Sequence, residues 1–272
     1  MRMDYIIIGG DERFAWLARM LRGRGRDVGT LYREPVPGVP ALAPDALAAA
    51  DAVVVNCPPR LKGGDMDVDR IARRLPDSAK LLLCGPKHPE PRADFRTVDL
   101  WADEELQREN ARLTAEGAVC AAMRAGRRAL RDTRCLVIGW GRIGRALTEL
   151  LTALAAGVTV ASRSPANRLC AAQRGADFVD TGRIAEVLPG CGLVFNTAPA
   201  MVLDAAALTR AKEDAMIIDL ASPPYGVDLR AAWARGLRAW REPGLPGRYC
   251  PMSAARALTD AIIRWEERDS NG

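Results

Sequence analysis

Cys135-Leu136-Val137-Ile138-Gly139-Trp140-Gly141-Arg142-Ile143-Gly144-Arg145-Ala146-Leu147 is the stretch that decides how this chain folds. Four apolar, β-favouring residues run into Gly-x-Gly-x-x-Gly, and a helical pattern starts directly after it. That order reads as strand, tight turn and helix within a βαβ unit. Gly139 permits the turn, Gly141 leaves the backbone open to a diphosphate, and Gly144 lets the helix lie close on the strand. A helix start offers N–H groups and a dipole suited to negative charge. Gly139, Gly141, Arg142, Ile143 and Gly144 are therefore candidate dinucleotide contacts.

Working outward, strands are expected at 158–161, 177–179, 193–196 and 216–219, with a short one at 238–240, most of them separated by helical segments. Upstream, apolar runs at 5–8, 28–32, 52–55 and 81–84 alternate with helical or turn-rich sequence. Such alternation produces parallel sheets. The fold class is α/β with two lobes: a C-terminal Rossmann-type, doubly wound parallel sheet and a smaller N-terminal open α/β domain of related plan. Residues 1–108 form the first lobe, assigned to substrate or partner. Residues 109–252 hold an interlobe helix and the dinucleotide-binding lobe. That helix is expected from Asp103 to about 131, with Gly117 and Gly126 as the places where it would break. A last helix over 253–268 is expected to pack back on the first lobe.

The chain has 272 residues, 49% of them hydrophobic, enough for two cores. Lys and Arg outnumber Asp and Glu by 39 to 34, a net +5, and nearly all the cations are Arg. Acidic residues are interspersed and no aromatic stacking platform accompanies the basic blocks, so nucleic acid is not the expected partner. Seven Cys form no C-x-x-C pair and several sit in apolar runs, so small buried thiols explain them better than disulfides or a zinc site, and a reducing cytoplasm fits best. No apolar stretch approaches the roughly 18 residues of a membrane span.

The strand at 158–161 ends in Ser162-Arg163-Ser164. Sites preferring NAD place a carboxylate there for the ribose hydroxyls. Hydroxyls and a guanidinium attract a 2′-phosphate instead, which favours NADP over NAD and makes Ser162, Arg163 and Ser164 cofactor candidates. Arg168, one turn further, is a possible helper. A solvated surface Arg163 is the competing reading. Asn196-Thr197-Ala198-Pro199 and Asp219-Leu220-Ala221-Ser222 follow the next two strands, at carboxyl ends that line the ligand crevice of such sheets. Asn196, Thr197, Ala198, Pro199 and Asp219 are assigned to the cofactor, with a turn cap as the other reading of Asp219.

In the first lobe Gly9-Gly10-Asp11-Glu12-Arg13 lacks the dinucleotide fingerprint. Asp11 and Arg13 are candidate binders of an anionic substrate, helped by helix-start N–H groups; a surface ion pair is the alternative for Arg13. Pro243-Gly244-Leu245-Pro246-Gly247 combines fixed φ with open backbone, so Gly244, Leu245, Pro246 and Gly247 are candidate substrate contacts or simply a connection. Glu116 on the interlobe helix and Ser222 at a strand end are the candidate catalytic groups. The single histidine, His88, lies in a Pro-rich part of the first lobe. A His–carboxylate relay like that of 2-hydroxy-acid dehydrogenases would need one late in the second lobe, so none is expected.

Taken in order, Ile8 to Arg13, Thr114 to Gly117, Val137 to Gly144, Ala161 to Ser164, Asn196 to Pro199, Asp219 to Ser222 and Pro243 to Gly247 resemble the A-type subunits of dipicolinate synthase from spore-forming bacteria. The resemblance implies an NADP-dependent dehydrogenase that oxidises dihydrodipicolinate to dipicolinate, a pyridine-2,6-dicarboxylate, during sporulation. It also implies the flavoprotein-like B-type component of dipicolinate synthase as partner; a homo-oligomer is compatible with it. Met252 stands where that family leads one to expect Lys, Cys84 to His88 replaces a Ser-rich stretch, and the first lobe is short. Two other classes fit the same residues: another NADP-linked reductase of a small keto acid or cyclic ketone, and a non-catalytic NADP-binding sensor or scaffold.

Overall fold

A computed structural model describes residues 2–57, 68–85, 97–154 and 156–270. By internal contacts the chain divides into two compact units, Met1–Asn110 with Pro246–Gly272, and Ala111–Leu245.

The first unit is built on five parallel strands: β1 (Met3–Ile8), β2 (Val28–Leu31), β3 (Ala50–Asn56), β4 (Lys80–Cys84) and β5 (Thr97–Asp99). They lie in the order β2-β1-β3-β4-β5. Side chains alternate across a strand, so a sheet covered on both faces needs unbroken apolar runs. Tyr5, Ile7, Val54 and Leu82 take one face. Helix α1 (Glu12–Gly23) covers it with Phe14, Leu17, Ala18 and Leu21. The long C-terminal helix adds Ala255, Leu258, Ala261 and Ile262 to the same core. Ile6, Ile8, Val53, Val55, Leu81 and Leu83 take the other face, under the short helix α2 (Val68–Ala72). Phe14 is 1% exposed, and truncating such a residue to Ala costs about 3–5 kcal/mol.

Helix α3 (Glu104–Ala125) runs unbroken through Gly117 and stops before Gly126. One glycine costs about 1 kcal/mol against Ala in a helix, which 22 residues of otherwise good formers absorb. Asp103 starts the helix, its Oδ1 accepting from the Leu106 N–H at 2.8 Å. The same carboxylate holds Arg264 at 2.7 Å and is pulled below the usual carboxylate range, chiefly by the hydrogen bond from that guanidinium.

The second unit carries six parallel strands: β6 (Arg134–Ile138), β7 (Gly157–Ser162), β8 (Asp177–Asp180), β9 (Leu193–Asn196), β10 (Met216–Asp219) and β11 (Arg238–Arg241). Their order is β11-β10-β9-β6-β7-β8. Read from β8, this is the doubly wound 3-2-1-4-5-6 arrangement, which reverses between β6 and β9. Helix α4 (Arg142–Ala153) follows β6 and buries Gly144, Leu147, Thr148 and Leu151. Helices α5 (Asn167–Ala172), α6 (Ile184–Val187), α7 (Ala205–Leu208) and α8 (Leu229–Ala234) complete the crossovers.

The Pro- and Gly-rich stretch near 245 differs from a plain connection. Leu245–Tyr249 forms a short helix α9, and α10 runs Pro251–Ser270, beginning two residues before the expected 253. Pro246 and Pro251 both stand in first turns, where a missing N–H is harmless. Strand β5 is not among the strands expected from sequence, because three residues carry too little pattern.

Candidate functional site

The carboxyl ends of β6, β7 and β9 line an open cleft of about 860 Å³. It brings together Gly139, Gly141, Ser162, Arg163, Ser164, Thr197, Ala198 and Pro199, all singled out in the sequence. The Gly139 turn has φ +103°, and a Cβ there would stand 2.4 Å from Thr197 Oγ1. Thr197 in turn donates from its hydroxyl and its N–H to the Ile138 carbonyl, at 2.9 and 2.8 Å, stitching the loop after β9 to the turn. A Cβ on Gly144 would meet the Gly139 carbonyl oxygen at 2.1 Å, so α4 starts hard against the turn.

Helix α4 is well suited to an anion. Its cap residue, Gly141, carries no side chain to fill the start, and its first turn holds no acidic residue. The first i→i−4 bond runs from the Arg145 N–H to the Gly141 carbonyl. The helix ladder thus leaves the preceding N–H groups, those of Arg142, Ile143 and Gly144, outside it. Nothing lies within 4 Å of a Cβ built on Gly141, so the open face of the turn is space rather than protein.

At the end of β7, Ser162 Oγ accepts from Asn167 Nδ2 at 2.8 Å and from the Ser164 N–H at 3.4 Å. With those acceptor positions taken, its own proton is directed elsewhere. Sequence reasoning misses Asn167, since only the fold shows that α5 returns to Ser162. Arg168 does not help here: its guanidinium stacks 5.0 Å from the Phe178 ring centre on β8. Trp140, in the middle of the Gly-rich turn, lies with Arg145 and Arg174 at 5.9 and 5.6 Å from its ring.

Asn196 and Asp219 do not line the cavity. Both are buried, and Asn196 Nδ2 donates to Asp219 Oδ1 at 2.8 Å. Asp219 also accepts from the Ala221 and Gly226 N–H groups. The turn-cap reading of Asp219 therefore describes its side chain, which fixes the loop after β10. Asn196 Oδ1 accepts from the Ala198 N–H at 3.1 Å and shapes the adjoining cavity wall. Glu116 is exposed on α3 and Ser222 is exposed beyond β10, and neither belongs to the cavity lining. His88 lies outside the described residues.

The first unit treats its equivalent turn differently. Asp11 caps α1 through the Arg13 N–H at 3.1 Å, and Glu12 follows in the first turn. That helix start is filled by the chain's own carboxylate, so the helix-start N–H groups are not the anion holder expected from sequence. Arg13 grips Asp11 with Nε at 2.8 Å and Nη2 at 2.7 Å. Gly247 comes against this pair: a Cβ on it would stand 2.5 Å from Asp11 Oδ2. Asp11, Arg13 and Gly247 are thus brought together, whereas Gly244, at φ +68°, has nothing within 4 Å of its Cβ position. Leu245 is buried. At the ends of β3 and β4, burial pushes the Cys57 thiol up to about 11 and the Cys84 thiol higher, so neither is a nucleophile at neutral pH. Among the described residues no cluster of His, Cys, Asp and Glu could hold a metal, and no helix is long and apolar enough to cross a membrane.

A doubly wound sheet with a Gly-rich turn and an uncapped helix start at its switch point is the arrangement that holds the diphosphate of a dinucleotide. Residues 101–224 match the family model of the D-isomer specific 2-hydroxyacid dehydrogenase NAD-binding domain, a match that supports a nicotinamide cofactor. The chain is 29% identical over 172 residues to the A-type subunit of dipicolinate synthase from Bacillus subtilis, covering 63% of this chain. The chain spans only 58% of that relative's length in the match. The fold of the corresponding dipicolinate synthase component from Bacillus halodurans superposes with a TM-score of 0.84 at 24% identity, over 97% of both chains. D-lactate dehydrogenase of Escherichia coli gives 0.63 at 13% identity, over 99% of this chain and 98% of its own. The resemblance to A-type dipicolinate synthase subunits read from the motifs is shown by these matches.

Proposed function

We propose that this chain is an NADP-dependent dehydrogenase of the dipicolinate synthase A type, oxidising a dihydropyridine dicarboxylate to pyridine-2,6-dicarboxylate. The observation that carries the reading is the second unit's turn: an uncapped, carboxylate-free helix start beside a Ser162-Arg163-Ser164 strand end. The Gly139–Gly144 backbone would hold the diphosphate. Arg163, with Ser162 and Ser164, would hold a 2′-phosphate that a carboxylate there would repel. Thr197 to Pro199 would form the wall beside the nicotinamide end. When bound, the nicotinamide accepts a hydride.

The substrate also loses a proton, and its ring becomes aromatic. That gain supplies driving force, so positioning rather than a strong base carries the rate. This agrees with Glu116 and Ser222 both standing outside the cavity lining. It also separates the chain from a 2-hydroxy-acid reaction, because its single histidine lies at 88, before the dinucleotide domain begins. The first unit is the substrate and partner lobe in this reading, and the partner, in sporulating cells, is the flavoprotein-like B-type component of dipicolinate synthase.

The test is turnover. The chain co-purified with a B-type partner, given dihydrodipicolinate and NADP⁺, produces the ultraviolet absorbance of dipicolinate. An intact pair that makes no product overturns the reading, and activity on a panel of keto acids or cyclic ketones instead would assign it to the NADP-linked reductases.

A further inference from the structure

We infer that Arg33 is the residue that binds a carboxylate of the substrate, at the carboxyl end of the first unit's sheet. The inference rests on the dehydrogenase reading above and names the anion-binding group of its substrate lobe.

The place comes from topology. In the order β2-β1-β3-β4-β5 the winding reverses between β1 and β3, and ligands of open α/β sheets lie outside the carboxyl ends at that point. Gly9, Gly10 and Asp11 leave β1 there. Arg33 leaves the neighbouring β2 and folds over the same loop. Its Nη1 donates to the Gly9 carbonyl at 3.2 Å and its Nη2 to the Asp11 carbonyl at 3.4 Å. Tyr32, just before it, holds φ +53°, a conformation that non-glycine residues rarely keep without a reason. It turns the chain sharply where β2 ends.

The chemistry comes from what Arg33 lacks. Among the described residues it makes no ion pair, and its Nε is buried without any acceptor. The nearby carboxylate, Asp11, is gripped by Arg13 through Nε and Nη2, and Gly247 closes over that pair. Two guanidinium groups therefore stand against one carboxylate, and Arg33 is the one left uncompensated. Burial lowers its pKa and Asp11 restores only part, so the cation is held at a desolvation cost. Each terminal nitrogen keeps a second N–H beyond the carbonyl bonds, a forked pair matched to a carboxylate. Arg13, by contrast, serves to hold the loop.

The 272-residue protein with saturating NADP⁺ would be titrated calorimetrically with pyridine-2,6-dicarboxylate, with pyruvate, and with the uncharged pyridine-2,6-dicarboxamide. Wild type should bind at least one acid and not the diamide. R33Q should weaken that acid at least roughly tenfold, and R33K should fall between. NADP⁺ affinity, read on the same samples, should stay within about twofold and certify that each variant is folded. Wild-type binding of pyruvate but not the pyridine diacid, lost in R33Q, would sink the dipicolinate reading and keep Arg33. Equal acid affinity in wild type and R33Q, equal binding of the diamide, or no acid binding at all would overturn the inference. The diamide comparison stands even where the variants fail to fold.

Discussion

Two single-methyl substitutions in one turn separate support of the fold from space for a ligand. In G144A the new Cβ would stand 2.1 Å from the Gly139 carbonyl oxygen and 2.9 Å from its carbon, both backbone atoms that no rotamer can relieve. The start of α4 must move off the sheet, at the upper end of over-packing costs, about 3 kcal/mol. In G141A the Cβ meets nothing within 4 Å and φ is −76°, ordinary for Ala. Only the cap preference of Gly over Ala is lost, below about 1 kcal/mol. The methyl instead fills the space assigned to the diphosphate. Losing two charge-assisted hydrogen bonds there costs about 3 kcal/mol, over a hundredfold in Kd. Urea unfolding and NADPH titration on both variants measure the two effects separately. G141A should lower its unfolding midpoint only slightly and lose binding, whereas G144A should lose much of both. Wild-type affinity in G141A, or equal destabilisation by the two changes, would refute this account of the turn.

Two further outcomes are expected. Asp103 is held below its ordinary pKa by Arg264, so its contribution is present at neutral pH and fades as pH falls through the depressed folded value. D103N keeps the helix-start acceptor and loses the charge; with Arg264 partly exposed, it should cost about 1 kcal/mol at pH 7 and almost nothing once pH has fallen below the depressed folded pKa, measured by urea unfolding across pH. Of the seven thiols, Cys57, Cys84, Cys135 and Cys191 are buried and pushed up by burial, Cys135 to about 12. A thiol reagent at pH 8 should react quickly with at most Cys120, Cys170 and Cys250, and with the others only on unfolding; a fast fourth thiol would contradict the burial of these strands.

Legibility in the sequence tracks locality. The strands of the second unit are readable because each is a short apolar run bounded by turn residues, and the Gly-rich turn because its spacing is itself the geometry. The three-residue β5 has too little pattern to see. The helix at Leu245–Tyr249 is hidden because Pro and Gly argue for a loop unless their positions fall in first turns. Asp219 reads ambiguously, since a strand-end carboxylate reaches a ligand or its own loop by a rotation that sequence does not specify. Arg33 and Asn167 are invisible for another reason. Their roles depend on which strand lies beside which, and β2 next to β1 or α5 folded back on Ser162 are facts of topology. Arg168 illustrates the converse, a residue placed well along the chain whose side chain finds Phe178 instead.

The central claim is that the second unit holds a nicotinamide dinucleotide on the Gly139–Gly144 turn and that Arg163 reads its 2′-phosphate. Calorimetric titration of the purified protein and of R163A with NADPH and with NADH tests it most directly. Wild type should bind NADPH at least roughly tenfold more tightly than NADH, and R163A should erase most of that difference while still binding NADH. No heat with either nucleotide, or the same NADPH preference in R163A as in wild type, would contradict it.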